Sequence, residues 1–207
     1  MQLVWHRGDL RTHDHAALHA AAAAGPTIGV VVLDPHILVS TSPRRSAWFL
    51  ENVRALRTSY AALGGTLLLR TGEPWAVLPA LRTQLGATTV HALRSHTPYG
   101  RERDQRTERA LGGIAWHDGV YLRAPGSILS RAGTPFTVFG AYFRVWRDGR
   151  SPEPLEPPAR LDSSPAAEVD LGESADRVRR RIPACFGHFH GARVQPGRAA
   201  SSARRGL

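Results

Sequence analysis

Two periodicities of apolar residues alternate along the first two-thirds of the chain. Short apolar runs are each followed by a longer stretch in which apolar residues recur at helical spacing. The run IGVVVL at 28–33 is continuous, which is typical of a strand buried on both faces of a parallel sheet. The predicted strands are 3–5, 28–33, 66–69, 88–93 and 114–116, and the predicted helices are 15–24, 43–63, 75–85 and 101–111.

Local signals support the boundaries of the longest predicted helix. Ser42 is a good N-cap, Pro43 suits the first helical position, and Gly64 and Gly65 end the helix. Because strands and helices alternate throughout this region, we expect an α/β fold. It should be a Rossmann-like parallel sheet with right-handed crossovers and helices on both faces.

Ligands in such folds bind at the carboxyl ends of the strands. The loops at those ends are 6–14, 34–44 and 94–101, and all three are rich in polar side chains. A ligand site is therefore expected where these loops meet.

The sequence changes character at Gly149. The stretch RDGRSPEPLEPPARLDSSP is proline-rich and predicts an extended linker. We therefore expect an α/β domain at 1–148, a linker at 149–170 and a basic tail at 171–207.

Composition narrows the class of protein. The chain has 207 residues, 42% of them hydrophobic, and no apolar run approaches the ~18 residues that a membrane span needs. The N-terminus does not resemble a signal peptide. The single cysteine, Cys185, excludes a disulfide framework and fits a reducing cytoplasm. We expect a cytoplasmic monomer with no membrane partner.

The net charge of +10 is unevenly distributed. All 27 basic residues are arginine, which is typical of a very GC-rich gene. From Leu171 onward the sequence contains eight arginines and only two acidic residues, Glu173 and Asp176. This tail therefore carries +6 of the net charge of +10. A basic tail can bind nucleic-acid phosphates. Because this one lacks helical periodicity and interleaved aromatics, translation out of frame near 170–180 is the favoured interpretation.

Several histidines lie close together near the N-terminus. Together with one aspartate they are His6, His13, Asp14, His15 and His19. His15 and His19 have the i, i+4 spacing of helical zinc ligands, but there is no His-Glu-x-x-His sequence and no cysteine pair. A solvated histidine face is favoured over a metal site.

Three other chemistries lack their motifs. No Gly-x-Ser-x-Gly elbow is present, no Gly-x-Gly-x-x-Gly follows the first strand, and a phosphate-loop lysine is impossible without lysine. Covalent catalysis and ordinary dinucleotide or nucleoside triphosphate binding are therefore not supported.

Two polar segments could line a ligand pocket. In SPRRSAWFLENVRAL at 42–56, Arg44 and Arg45 at a helix N-terminus could hold a phosphate or carboxylate, and Trp48 and Phe49 could pack against a planar ring. Equally, the aromatics could be core and the arginines solvated. In SHTPYGRERD at 95–104, the candidates are His96, Tyr99 and Arg101.

Taken together, these stretches resemble the DNA photolyase and cryptochrome family. LVWHRGDLRTHDHAAL at 3–18 is similar to that family's first-strand motif, hydrophobic-Val-Trp-Phe-Arg-x-Asp-Leu-Arg-x-His-Asp-x-x-Ala-Leu. VVVLDP at 30–35 resembles its second strand, and SPRRSAWFLENVRAL resembles its chromophore-side helix. TPFTVFGAYFRVWR at 134–147 resembles the segment where the chain leaves the first domain.

The resemblance implies a function. In this family the N-terminal α/β domain binds a light-harvesting antenna pigment, and a separate helical domain binds FAD and flips the damaged base out of DNA. The charged turn would then be structural and lie near the domain junction. The residues with this role would be Arg7, Asp9, Arg11 and Asp14.

The pigment is expected to be FMN or 8-hydroxydeazaflavin more than methenyltetrahydrofolate. Family members that bind the folate use an Asn-Glu pair, and this sequence has Tyr99-Gly100 at that position. The resemblance implies that the cofactor-binding residues are Asp34, Arg44, Arg45, Trp48, Phe49, His96, Tyr99 and Arg101.

The tail does not resemble the family's continuation toward the FAD domain. We therefore expect a truncated photolyase, inactive in repair by itself, that would meet DNA only through the missing domain. The alternative is a stand-alone nucleotide-binding or universal-stress-type α/β module, which shares the fold type.

Overall fold

A computed structural model describes residues 1–149 and 152–163 of the chain. The predicted basic tail, 171–207, lies outside these residues, as do positions 150–151 and 164–170 of the predicted linker. In the described residues, no helix is long and apolar enough to cross a membrane.

A single five-stranded parallel sheet forms the centre of the molecule. The strands are β1 Gln2–His6, β2 Thr27–Leu33, β3 Thr66–Thr71, β4 Thr89–Leu93 and β5 Ala115–His117. Their spatial order is β3-β2-β1-β4-β5, and every pairing is parallel. The predicted α/β fold is confirmed, and the order reverses direction between β1 and β4.

The helices follow the strands as expected, with two additions. They are α1 Ala16–Ala24, α2 Pro35–Ser40, α3 Pro43–Ala62, α4 Pro74–Leu85, α5 Pro98–Leu111 and α6 Phe139–Asp148. Helices α2 and α6 were not predicted. Helix α5 begins three residues before the predicted start, because Thr97 caps it by accepting from the backbone N–H of Gly100 and Pro98 occupies the first turn.

The alternation of side chains along β1 separates two hydrophobic cores. Val4 faces the core shared with α1 and α3, whereas Leu3 and Trp5 face the core shared with α4. All seven residues of β2 are buried, as its continuous apolar sequence predicted. Helices therefore cover both faces of the sheet.

The close seating of α3 on the sheet depends on Gly29. A Cβ atom at this position would lie 2.6 Å from the Tyr60 ring and 2.6 Å from Leu67. The ring of Tyr60 therefore occupies the space that a side chain at position 29 would fill. Its hydroxyl lies at the end of β1, beside His6.

The first part of the predicted linker is packed against the domain. Residues 152–163 contain no helix or strand, as proline content predicted, but their backbone is bound. The amide of Leu161 donates to the Leu63 carbonyl (2.7 Å), and the amide of Thr27 donates to the Asp162 carbonyl (2.7 Å). This part of the chain is thus not a free spacer, and the boundary after residue 148 stays a prediction.

Replacing Leu161 by alanine should measure how tightly this segment is held. Leu161 is 1% exposed and belongs to the core beside α3. Leu161→Ala should lower the free energy of unfolding by about 2–4 kcal/mol. Urea denaturation of the two proteins gives this difference.

Leu122→Ala is the matched control, because Leu122 is 49% exposed and its loss should change stability by less than about 0.5 kcal/mol. Equal stabilities for Leu161→Ala and Leu122→Ala would show that the segment does not pack as described.

Candidate functional site

A cavity of about 240 Å³ lies at the carboxyl ends of β1 and β2, beneath α2 and the start of α3; it is called the strand-end pocket below. Its apolar wall is formed by Val32, Leu33, Ile37, Phe49 and Pro74. The rest of its lining is Trp5, Arg7, Gly8, Asp34, Thr41, Arg45, Ser46 and Arg103. This is the edge of the sheet where α/β folds bind ligands.

One carboxylate holds the two arginines at the base of the pocket. Asp104 accepts from Arg7 through both of its oxygens at 2.7 Å and from Arg103 at 2.8 Å. Asp104 is 6% exposed, so these are buried charge-assisted bonds. Burial lowers the pKa of Arg7, and the charge of Asp104 opposes this shift.

The same two guanidinium groups lie against Trp5. The Arg7 Cζ is 4.6 Å from the centre of the Trp5 ring, and the Arg103 Cζ is 5.1 Å from it. Both distances are within the range of cation–π attraction. The orientation of the indole is thus fixed by charged partners on β1 and α5.

Asp34 connects the end of β2 to α5. Its Oδ1 caps α2 by accepting from the His36 amide at 3.0 Å, and its Oδ2 accepts from the Tyr99 hydroxyl. The His36 and Tyr99 rings are stacked with centroids 4.6 Å apart. Burial and then the bond to Asp34 raise the pKa of Tyr99. The phenol therefore stays protonated and donates.

The structure brings some of the predicted cofactor residues together. Asp34, Arg45 and Phe49 line the strand-end pocket, and Tyr99 contacts it through Asp34. Arg45 is exposed at the rim. The grouping was expected from the three polar loops, and the binding role of each residue stays a prediction.

Other predicted cofactor residues lie elsewhere. Trp48 is 66% exposed, and neither Trp48 nor Arg44 lines the strand-end pocket. His96 and Arg101 line a separate polar cavity of about 260 Å³ beside Trp116. The buried face of α3 includes Ser46, Leu50 and Val53, which recur at helical spacing. Trp48 does not lie on this face.

Sequence reasoning missed Trp5, Ser46 and Arg103 as pocket residues. The signal for Arg103 was its position, because it shares the buried face of α5 with Gly100 and Thr107. A charged residue on the inward face of a helix needs a partner, and Asp104 supplies it.

The charged turn after β1 is organised around Asp9. Its Oδ1 accepts from the Arg7 amide at 2.8 Å, and its Oδ2 accepts from His15 Nε2 at 2.7 Å. Farther along the turn, Arg11 donates to the Gly119 carbonyl at 2.8 Å, and Asp14 accepts from the Leu155 amide at 3.3 Å. The four residues predicted to be structural thus tie the turn to other parts of the same domain, and their place at a domain junction stays a prediction.

The expected solvated histidine face is wrong for two of the histidines. His6 is 0% exposed and His15 is 1% exposed. His6 Nδ1, Asp9 Oδ2 and His15 Nε2 lie within 4.8 Å of one another, as metal ligands would. However, His15 Nδ1 accepts from the Leu18 amide, which places its proton on Nε2 and directs that proton at Asp9. The arrangement is that of a hydrogen-bond network.

His6 completes the network as a neutral ring. Its Nε2 accepts from the Tyr60 hydroxyl at 2.6 Å, and its Nδ1 donates to the Asp9 carbonyl at 3.2 Å. Burial, followed by the nearby His15, lowers the pKa of His6 to about 4. Burial alone would raise the pKa of Asp9, but the bond from His15 and the neighbouring charges hold it well below its usual value.

The lowered pKa of His6 predicts a loss of stability in acid. Below pH 6.5 the unfolded chain binds a proton at this histidine that the folded protein does not accept until about pH 4. The free energy of unfolding should therefore fall between pH 6.5 and pH 4, by up to about 3 kcal/mol from this group. Urea denaturation at several pH values measures the slope.

A double variant, His6→Phe with Tyr60→Phe, replaces the buried bond by two apolar rings and should have a shallower slope over this pH range. His19→Ala is the control, because His19 is exposed and its loss should leave the slope unchanged. Parallel slopes for the wild type and the double variant would contradict the role given to His6.

Known proteins are similar to this chain in sequence and in fold. The chain matches the DNA photolyase family over residues 2–159. A deoxyribodipyrimidine photo-lyase of Thermus thermophilus is 50% identical over 163 residues, which is 79% of this chain and 37% of that protein. A class III photolyase from Agrobacterium tumefaciens has a TM-score of 0.76 at 27% identity, over 86% of this chain and 37% of that one.

An archaeal photolyase from Sulfolobus tokodaii, solved with two FAD molecules, has a TM-score of 0.67 at 19% identity, over 78% of this chain and 38% of that one. Its likeness shows the fold alone. The chain spans well under half the length of these proteins. A family match over most of the chain leaves no support for a stand-alone stress-type module. The chain belongs to the DNA photolyase family, and its α/β fold is that of the N-terminal domain of these proteins.

Proposed function

We propose that this chain is the light-harvesting domain of a light-driven DNA repair lyase, and that the strand-end pocket holds the antenna pigment. The observation that carries the proposal is the pocket itself. It lies at the ligand-binding edge of the sheet, and its walls combine aliphatic and aromatic side chains with arginines.

The size of the pocket suits a planar ring system. Its volume of about 240 Å³ is a little below the range of ~300–1,000 Å³ usual for drug-sized ligands. The ring of a flavin or deazaflavin would be held between apolar side chains such as Phe49 and Ile37. A charged side arm would extend toward the rim.

The charges around the pocket favour an anionic ligand. Arg7, Arg45 and Arg103 face it, against Asp34 in the lining and Asp104 behind the two buried arginines. The arginine at the rim, Arg45, is exposed. A phosphate or carboxylate on the side arm would be attracted there.

FMN or 8-hydroxydeazaflavin is preferred to methenyltetrahydrofolate. The Asn-Glu pair expected for the folate is replaced by Tyr99-Gly100. A Cβ atom on Gly100 would overlap the Ser95 side chain, so this position has no room for a glutamate. In addition, Tyr99 is engaged with Asp34 and is not free to act as a folate ligand.

A bound pigment would absorb light and pass the energy to a flavin elsewhere in the complete enzyme. The residues of this chain would bind the ring, fix its orientation and exclude water from it. We place the splitting of pyrimidine dimers, the catalytic FAD and the contact with DNA in the remaining part of a full-length photolyase. By itself the domain would be a pigment-binding protein with no repair activity.

Direct titration tests the proposal. FMN, 8-hydroxydeazaflavin and methenyltetrahydrofolate are each added to the purified chain, excess is removed, and the visible absorbance of the protein fraction is measured. We expect the two flavin-type pigments to stay bound. Retention of the folate, with both flavins lost, would contradict the proposed pigment.

Arg45→Gln tests the charge at the rim. The variant should weaken FMN about 3- to 10-fold and leave riboflavin, which lacks the phosphate, nearly unchanged. Arg109→Gln removes an exposed arginine outside the pocket and is the matched control. Fluorescence titration gives the dissociation constants. Equal losses for FMN and riboflavin would place the phosphate away from Arg45.

A further inference from the structure

Two residues that line the strand-end pocket each carry a buried polar atom with no hydrogen-bond partner among the residues that the structure describes. The atoms are the indole Nε1 of Trp5 and the hydroxyl Oγ of Ser46. Trp5 is 1% exposed and Ser46 is 2% exposed, so bulk water does not reach them. Buried groups of this kind are rare, because an unmade hydrogen bond is costly.

The same protein satisfies comparable groups elsewhere. On α3, the hydroxyls of Thr58 and Ser59 donate to the carbonyls four residues earlier, at 3.3 and 3.1 Å. The indole N–H of Trp116 donates to Glu108 at 3.0 Å. A partner for a serine on α3 or for a buried indole is thus available in this fold, and Ser46 and Trp5 lack one in the pocket.

Trp5 cannot easily turn to find another partner. Its ring is held by the guanidinium groups of Arg7 and Arg103, and both of these are anchored to Asp104. The indole N–H is a donor and cannot accept. Whatever satisfies it must therefore present an acceptor atom, and the ring lines the pocket in which a ligand would do so.

We infer that Trp5 Nε1 and Ser46 Oγ recognise the pocket's ligand, which carries a hydrogen-bond acceptor for the indole N–H. This inference rests on the proposed function and adds a requirement to it. The acceptor is a carbonyl oxygen of the ring or an oxygen of the ribityl phosphate side arm. Both groups occur in FMN, and only the carbonyls occur in lumiflavin, which is the ring system without that arm.

The two variants that remove these groups are Ser46→Ala and Trp5→Phe. Each should weaken FMN binding about 3- to 10-fold in a fluorescence titration of the full chain. Ser59→Ala and Trp116→Phe remove a serine and an indole whose hydrogen bonds lie outside the pocket, and they should bind FMN as the wild type does. An equal loss with lumiflavin assigns the acceptor to the ring, and a loss with FMN alone assigns it to the ribityl phosphate side arm.

Thermal unfolding without ligand supplies a readout that does not depend on the pigment. Because Ser46 Oγ is unpartnered, Ser46→Ala should leave the midpoint temperature unchanged or raise it. A lower midpoint for Ser46→Ala would show that Oγ has a partner in the empty protein and would overturn the inference.

The nuclear magnetic resonance signal of the Trp5 indole N–H is the third measurement. It should move downfield when flavin is added, while that of Trp116 stays in place. Flavin binding that is unaffected by both variants overturns the inference and leaves the proposed function intact. A wild-type chain that binds no flavin overturns the proposed function and the inference with it.

Discussion

The shared carboxylate of Asp104 is the interaction on which the ligand-binding edge depends. It binds Arg7 from the end of β1 and its neighbour Arg103 on α5, and it accepts from the Ser95 amide just after β4 at 3.3 Å. The sheet order reverses between β1 and β4, so the chain after β1 leads to α1 on one face of the sheet and the chain after β4 leads to α5 on the other. Asp104 links the beginnings of these two connections. A buried ion group of this kind fixes geometry more than it adds stability. The position of Trp5 follows from it.

Asp9 has a corresponding role on the other face of the charged turn. It holds the Arg7 amide and His15, and through its carbonyl it holds His6, which accepts from Tyr60. The two carboxylates thus act on opposite sides of one turn. Asp9 ties it to α1 and α3, and Asp104 ties it to α5. Most of the charges in the turn therefore hold the turn itself, and Arg7 lines the ligand pocket as well.

Much of this fold could be predicted from the sequence, because strand burial and helix periodicity are local signals. The helix α2 has a signal that was overlooked, since Asp34 and Pro35 are a good N-cap and first residue. Helix α6 had a signal as well, because Phe139, Phe143 and Trp146 recur at helical spacing, although it lacks a side-chain cap and buries no residue fully. Trp48 was predicted as a ring partner from its type, although its place on α3 is off the buried series. Predicting Arg103 as a pocket residue requires knowing which face of α5 is buried, and that depends on tertiary packing.

The contrast between the two sides of the turn indicates where the binding function lies. Around Asp9, every polar contact described has a donor matched to an acceptor, and the network is complete within the protein. In the strand-end pocket, an indole donor and a hydroxyl have no partner within the described part of the chain, and an exposed arginine lies at the rim. A folded protein is more stable when every buried polar group has a hydrogen-bond partner. Buried groups without one are therefore expected mainly at sites that serve a function such as ligand binding. A ligand that supplies an acceptor and a negative charge would make the pocket as complete as the turn beside it.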